Sequence, residues 1–259
     1  MPYSLKVLYS GSTGNASVLC AGDTAVLIDA GRSARALCRA LEQAGVSSDS
    51  VKAVFLTHEH NDHTAALEVF LKHHPVPVHV PEGSAARLLA RAGEHLKNAV
   101  VTHPPLFTET VGPLTFSSFR TSHDSAESVG YRICIRDGAY CHTVGYATDL
   151  GTVTPSVEEG LCGCEAVVLE CNHDEEMLMT GPYPYDLKRR IASRKGHLSN
   201  PDCAVFSTRL AANGMKRLLL AHLSETNNLP DLAYAEVSAA LMGTGVRIAV
   251  ASPTDVVEL

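Results

Sequence analysis

The sequence predicts a single-domain α/β sandwich, and three observations carry that expectation. Between residues 51 and 102 apolar strands alternate with helical stretches, the βαβα order of layered α/β folds. From Leu106 the pattern changes to the period-two alternation of β-strands. The third observation is the stretch Thr57-His58-Glu59-His60-Asn61-Asp62-His63, directly after the apolar run Val51–Leu56. Open α/β sheets place ligands at the carboxyl ends of their strands. Four potential metal ligands, His58, His60, Asp62 and His63, fall there within six positions.

Length and composition set the bounds. The 259 residues can bury a sizeable core. An apolar fraction of 45% with 19% charged residues is ordinary for a globular enzyme. The formal charge of −7 argues against a broad basic surface. It leaves nucleic acid open, because acids that bind metal add to the count and a bound cation itself attracts phosphate. No stretch approaches the roughly 20 apolar residues of a membrane span, and the amino terminus lacks a basic-then-apolar leader. A cytoplasmic protein without membrane contact is the expectation. Of eight cysteines, Cys162 and Cys164 are the only close pair, so reduced thiols are expected rather than disulfides or a structural zinc.

Taken in order, Leu5–Tyr9 and Ser17–Cys20 read as strands joined by Ser10-Gly11-Ser12-Thr13-Gly14-Asn15. Gly11, Gly14 and Asn15 can take positive φ there, as a plain hairpin loop or as a backbone nest for phosphate. A third strand, Ala25–Asp29, ends before a Gly turn, and Asp29 is expected to orient its neighbours rather than bind metal. Ser33 caps a helix stopped by Gly45. After the central motif come helix Thr64–Lys72, strand Val76–Val80, helix Glu82–Arg91 and strand Ala99–Thr102. His73, His74, His79, His95 and His103 lie at element ends without His or acidic residues at ligand spacing, and read as structural or solvated.

Imidazoles with a carboxylate suit zinc, manganese or iron rather than calcium or magnesium. In an extended loop, residues two apart face the same way, which groups His58, His60 and Asp62. His63 starts the following helix and turns elsewhere, so the spacing points to two metals. Strands Leu114–Arg120, Ser128–Arg136 and Ala139–Thr148 follow. His123, between the first two, is the natural third imidazole, while Asp149 ends the next strand and could bridge two cations. His142 is expected to pack in the core.

Strand Glu165–Cys171 leads into Asn172-His173-Asp174, either a surface cap or a further cluster. Five of the eight residues from Lys188 to Lys195 are basic. Such a run is a solvated face or, with His197, Ser199 and Asn200 just after it, a phosphate contact. The candidate substrate residues are therefore Lys188, Arg189, Arg190, Arg194, Lys195, Ser199 and Asn200. Lys216–His222 repeats the pattern of Lys52–His58, a basic residue, an apolar strand, then His. His222 is the expected last ligand. A helix over Pro230–Met242 and a strand at Val246–Val250 close the chain. No linker interrupts it, so residues 1–259 read as one domain.

His58-x-His60-x-Asp62-His63 after a buried strand resembles the signature of the metallo-β-lactamase fold superfamily. With Ser10–Asn15, Leu27–Gly31, Ser122–Asp124, Ala147–Gly151, Asn172–Asp174, Gly196–Asn200 and His222–Asn228, nearly the whole chain resembles the YycJ/WalJ family of nucleases. One departure is Cys171, where a small residue such as Ser is expected. The resemblance implies an αββα sandwich without a β-CASP insertion, and a DNA exonuclease with two divalent ions, zinc or manganese. His58, His60 and His123 would hold one ion, Asp62, His63 and His222 the other, with Asp149 bridging. Two such cations can share a hydroxide and stabilise an in-line displacement at phosphorus. Asp62 or Asp149 could take the nucleophile's proton, and His197 could clamp phosphate or protonate the leaving group. The alternatives are a hydrolase of a small substrate (cyclic phosphodiester, thioester or lactam) and, more remotely, a non-catalytic nucleic-acid-binding module. DNA is expected over RNA, and the sequence leaves the oligomeric state open.

Overall fold

The computed structural model describes residues 3–259. In chain order the strands of the first sheet are β1 (Tyr3–Tyr9), β2 (Ala16–Ala21), β3 (Thr24–Ile28), β4 (Val51–Phe55), β5 (Val78–Pro81) and β6 (Val100–His103). The second sheet contains β7 (Thr108–Val111), β8 (Leu114–Arg120), β9 (Val129–Asp137) and β10 (Tyr140–Ala147). It continues through β11 (Ala166–Glu170), β12 (Arg217–Ala221) and β13 (Arg247–Val250). A last strand, β14 (Val257–Glu258), returns to the first sheet and pairs with β1. The orders are β14-β1-β2-β3-β4-β5-β6 and β13-β12-β11-β10-β9-β8-β7.

Helices cover both outer faces. Those on the first sheet are α1 (Ala34–Gln43), α3 (Leu67–His73), α4 (Glu82–Leu89) and α5 (Glu94–Ala99), with the single turn α2 (Asn61–Thr64) following the β4 end. The later ones are α6 (Pro155–Leu161), α7 (Glu175–Thr180), α8 (Tyr185–Ile191), α9 (Asn200–Ala212) and α10 (Pro230–Ala240), of which α6, α9 and α10 pack on the second sheet. The result is the four-layer αββα arrangement.

The layering follows from strands that are apolar on both faces. In β4, Ala53 and Phe55 point between the sheets while Val54 points to the helices. In β11, Ala166 and Val168 face inward and Val167 and Leu169 meet α6 and α9. These runs are continuous because parallel strands are buried on both sides. Phe55 stacks on Phe116 of the opposite sheet with centroids 3.9 Å apart. Truncating so buried a ring to Ala costs about 3–5 kcal/mol. The Tyr131 hydroxyl crosses the core and donates to the carbonyl of Leu56, tying the second sheet to the end of β4.

Several expectations need correction. The closing strand is β14, not the segment at Val246–Val250. The pattern does not single out β7, α5, α6 or α9, because the first three are short and α9 begins inside the stretch read as a substrate contact. Of the loop residues Gly11, Gly14 and Asn15, only Gly11 takes positive φ. Cys134 and Cys141, on the β9–β10 hairpin, are joined in a disulfide, so these two are not the free thiols expected. His142 sits half-exposed, its Nδ1 3.1 Å from Glu165, rather than in the core. Among the described residues, no helix is long and apolar enough to cross a membrane.

Candidate metal centre

The central motif leaves β4 and turns at once into α2. Backbone register around it is fixed by close approaches. Gly31 lies so near the carbonyl of Asp62 that an added Cβ would sit 1.9 Å from it. Asp29, Asp149 and His222, just beyond β3, β10 and β12, all take positive φ, at 61°, 58° and 57°. Left-handed backbone at non-Gly residues is strained, and it clusters where a site demands a particular aim. Here two strand ends turn Asp149 and His222 toward one point, and a third turns Asp29 onto Thr57 and His63 behind it.

The seven candidate ligands meet there. His58, His60 and His123 offer ligand atoms within 4.8 Å of one another, as do His58, His63 and Asp149, and again Asp62, His63 and His222. Asp149 lies between the groups. Its Oδ1 is 3.6 Å from Nε2 of both His123 and His222, and its Oδ2 is 3.4 Å from Nε2 of His63. His60 is the half-exposed member and Asp62 is partly open, while the others are buried.

Four of the rings are aimed from behind through Nδ1. His58 Nδ1 meets Thr57 Oγ1 at 3.0 Å and His63 Nδ1 meets Asp29 Oδ2 at 2.8 Å. His123 Nδ1 meets the Gly196 carbonyl at 3.1 Å, and His222 Nδ1 meets Glu170 Oε1 at 2.8 Å. Each contact leaves Nε2, rather than Nδ1, to face the shared space, the usual arrangement behind a metal-ligating imidazole. Asp29 also accepts from the Thr57 amide and hydroxyl, so it supports the motif without entering the centre.

The donors fit divalent cations. Buried Nε2 atoms of His58 and His222 and buried Oδ2 of Asp149 have no hydrogen-bond partner. Unpartnered buried polar atoms are costly, and three of them converging on one space match a cation's demand for lone pairs. The electrostatics agree. Burial, followed by the nearby His63, holds His58 well below its ordinary pKa, in the neutral ligating form. Burial opposes charge on Asp149, yet the surrounding imidazoles keep it well below the usual carboxylate range. Burial alone would lower His222, but Asp149, Asp62 and Glu170 outweigh it and lift the ring to about 10. The cluster therefore draws in positive charge.

The largest missing contribution in the sequence reading is Glu170, the last residue of β11. It is fully buried, and its Oε1 lies 2.8 Å from Nδ1 of both His222 and His197. Its Oε2 accepts from the amides of Leu150 and Leu198. The signal was present: an acid closing a buried strand, like Asp29 and Asp149. Asn15, in the stretch that reads as a hairpin loop or a phosphate nest, meets the centre through its side chain: its Nδ2 lies 3.3 Å from Asp62 Oδ2 and 3.2 Å from His63 Nε2. Asn172 Nδ2 donates to the His222 carbonyl at 2.7 Å.

The centre opens into a cleft of about 270 Å³ lined also by Ser12, Tyr183, Arg190 and His197. Arg190, on α8, pairs with Asp124 at 2.5 Å. The other basic candidates are not among the cleft lining. Lys188 donates to the Met179 carbonyl, Arg189 lies over the Tyr185 ring, and Arg194 and Lys195 are exposed beyond α8. Ser199 and Asn200 are not brought to the cleft, contrary to expectation. Ser199 caps α9, and both side-chain ends of Asn200 are taken up by buried Asn228, with Cys171 adding a contact. His173 also stays apart from the centre, buried beside a neighbouring cavity of about 250 Å³ that shares His197.

Residues 24–223 match the family described as the Beta-lactamase superfamily domain. The chain is 34% identical to exodeoxyribonuclease YycJ of Bacillus anthracis over 253 residues, covering 96% of this chain and 92% of the relative. It is 29% identical to exodeoxyribonuclease WalJ of Streptococcus pneumoniae over 252 residues, 94% of this chain and 91% of that one. In fold it is similar to the metallo-β-lactamase fold protein YhfI of Bacillus subtilis, with a TM-score of 0.74 and 20% identity over the full length of both chains. The chain belongs to the metallo-β-lactamase superfamily, in its YycJ/WalJ-like family, and is a metal-dependent hydrolase.

Proposed function

We propose that this hydrolase is a DNA exonuclease with two divalent ions, zinc or manganese, at its centre. The observation that carries the reading is the convergence of seven candidate metal ligands, five of which line one cleft with Arg190, in a chain 34% identical to a named exodeoxyribonuclease. His58, His60 and His123 would hold one ion and Asp62, His63 and His222 the other, with Asp149 shared. When bound, such ions supply positive charge that ionises water near neutral pH and offsets charge developing on phosphate.

The chain's own groups do the rest. Asp62 and Asp149 are the carboxylates placed to accept the nucleophile's proton. His197 protonates the departing oxygen. Burial lowers this ring's pKa, but Glu170 overrides burial and holds it above the ordinary value, which favours the proton-bearing form. Arg190, steadied by Asp124, clamps a phosphate oxygen. A second depression beside His60, Asn61 and Asp62 is edged by Arg87, Arg91 and Arg190. Arginines along these two adjoining depressions suit a phosphate backbone better than a lactam or thioester. A DNA substrate also agrees with a cytoplasmic location.

The deciding experiment is digestion of end-labelled single- and double-stranded DNA and RNA with manganese, zinc or chelator. Stepwise shortening of DNA that needs the metal is expected. Intact polymers alongside hydrolysis of a small phosphodiester or thioester would sink the nuclease reading.

A further inference from the structure

We propose a second metal site, separate from the catalytic cluster, formed by His79, His103 and Glu109 for a transition metal such as zinc. The sequence places no ligand neighbours at metal spacing around His79 and His103, but the fold brings them together with Glu109. His79 lies on β5, His103 closes β6 and Glu109 lies on β7. One ligand atom from each lies within 4.8 Å of the others, and His79 Nδ1 is 2.9 Å from His103 Nε2. The set shares no residue with the catalytic centre.

The chemistry matches a site of two imidazoles and one carboxylate. Zinc binds imidazole nitrogen at about 2.0–2.1 Å and carboxylate oxygen at about 2.0–2.2 Å. Two nitrogens on one tetrahedral ion then stand about 3.3 Å apart, so the rings need to separate by only a few tenths of an ångström. Both rings are held in place before any ion arrives. His79 stacks on Phe55 with centroids 4.5 Å apart, and His103 stacks on Phe107 at 4.1 Å. A mere hydrogen-bonded His pair would need no third donor, yet a carboxylate completes the set. Burial keeps both imidazoles below their ordinary pKa, His79 with the further help of His103, which favours the neutral ligating form. His103 and Glu109 are half-exposed, which gives an ion an entry path and water for its fourth position.

Position explains what the site would do. β6 is the last strand of the first sheet and β7 the last of the second. An ion here would cross-link β5 and β6 to β7 and fasten the two sheets at one open edge of the sandwich. Its role is structural, so catalysis should not depend on it.

Chelator-stripped parent, His103→Ala and Glu109→Gln proteins, each freed of excess metal after loading with zinc or cobalt, provide the test. The parent should retain one equivalent more than His103→Ala, whatever the catalytic cluster itself holds. Glu109→Gln should bind that equivalent at least about ten-fold more weakly, the loss of one modest contact. DNA digestion should be the same in all three. Equal metal content in parent and His103→Ala overturns the proposal. Should His103→Ala fail to fold, judged by circular dichroism, the half-exposed Glu109→Gln decides alone: parental stoichiometry and affinity in that variant also overturn it.

Discussion

The carboxylate of Glu170 stands 2.8 Å from Nδ1 of His222 in a position that no solvent reaches. The same oxygen meets His197, so one residue aims a metal-ligand candidate and the proposed leaving-group acid together. Burial disfavours its charge, but the two imidazoles hold its pKa below the usual range. Glu170→Gln keeps the shape and removes the charge. Metal affinity or turnover should fall about 10–100-fold, and the shoulder of the pH–rate profile that reports His197 should move to lower pH. A variant with parental affinity and an unmoved profile would show that Glu170 only fills space.

Metal content is the next check. With seven candidate ligands in three overlapping groups, the catalytic cluster should hold close to two divalent ions per chain. His63→Ala should lose mainly one of them. Elemental analysis is read in a His103→Ala background, so that the edge site does not enter the count. One ion, unchanged in the His63 variant, would contradict the dinuclear reading.

Asp149 and Asp29 separate bridge from support. Two close cations repel, so Asp149→Asn should empty at least one position and abolish most turnover. Asp29 reaches the centre only through His63 and Thr57, and Asp29→Asn should weaken metal binding by about 10–100-fold at most. Metal titration of both variants compares them directly. Full occupancy in Asp149→Asn with loss in Asp29→Asn would reverse the two roles.

The basic helix can be tested by charge reversal. Changing Arg189, Arg190, Arg194 and Lys195 to Glu should raise KM for DNA and flatten its dependence on salt, with metal content unchanged. Since only Arg190 lines the cleft, the single Arg190→Glu variant should carry most of the effect. Parental KM and salt slope in the four-fold variant would leave α8 a solvated face.

Stability should fall on mild acidification through His79. Burial, then the neighbouring His103, lowers its pKa to about 4 in the folded chain. Unfolded, it titrates near 6.5. Between those values the unfolded chain binds the extra proton, so stability is complete above about pH 6.5 and declines toward pH 4. In chelator-treated protein, denaturant midpoints across this window should fall less in His79→Phe than in the parent. Identical pH slopes would locate the loss elsewhere.

Much of the centre was legible in one dimension. His58, His60, Asp62 and His63 are neighbours in the chain, and a buried strand before them announces itself by its apolar run. His123, Asp149 and His222 could be read because each lies just beyond a strand end, where sheets commonly present functional side chains. What Glu170, Asn15 and Asn172 hold in place is not legible in the sequence, since a buried acid or amide declares its role only through the partner it meets across the fold. Ser199 and Asn200 were misplaced for the same reason: their polarity satisfies a helix cap and a buried amide pair. His79, His103 and Glu109 are far apart in pattern and close in space. Sequence determined which residues could bind metal, through their chemistry and short-range spacing. Only the packing of one sheet on the other decided which distant side chains share a point, because that depends on strand order and register, which no local pattern encodes.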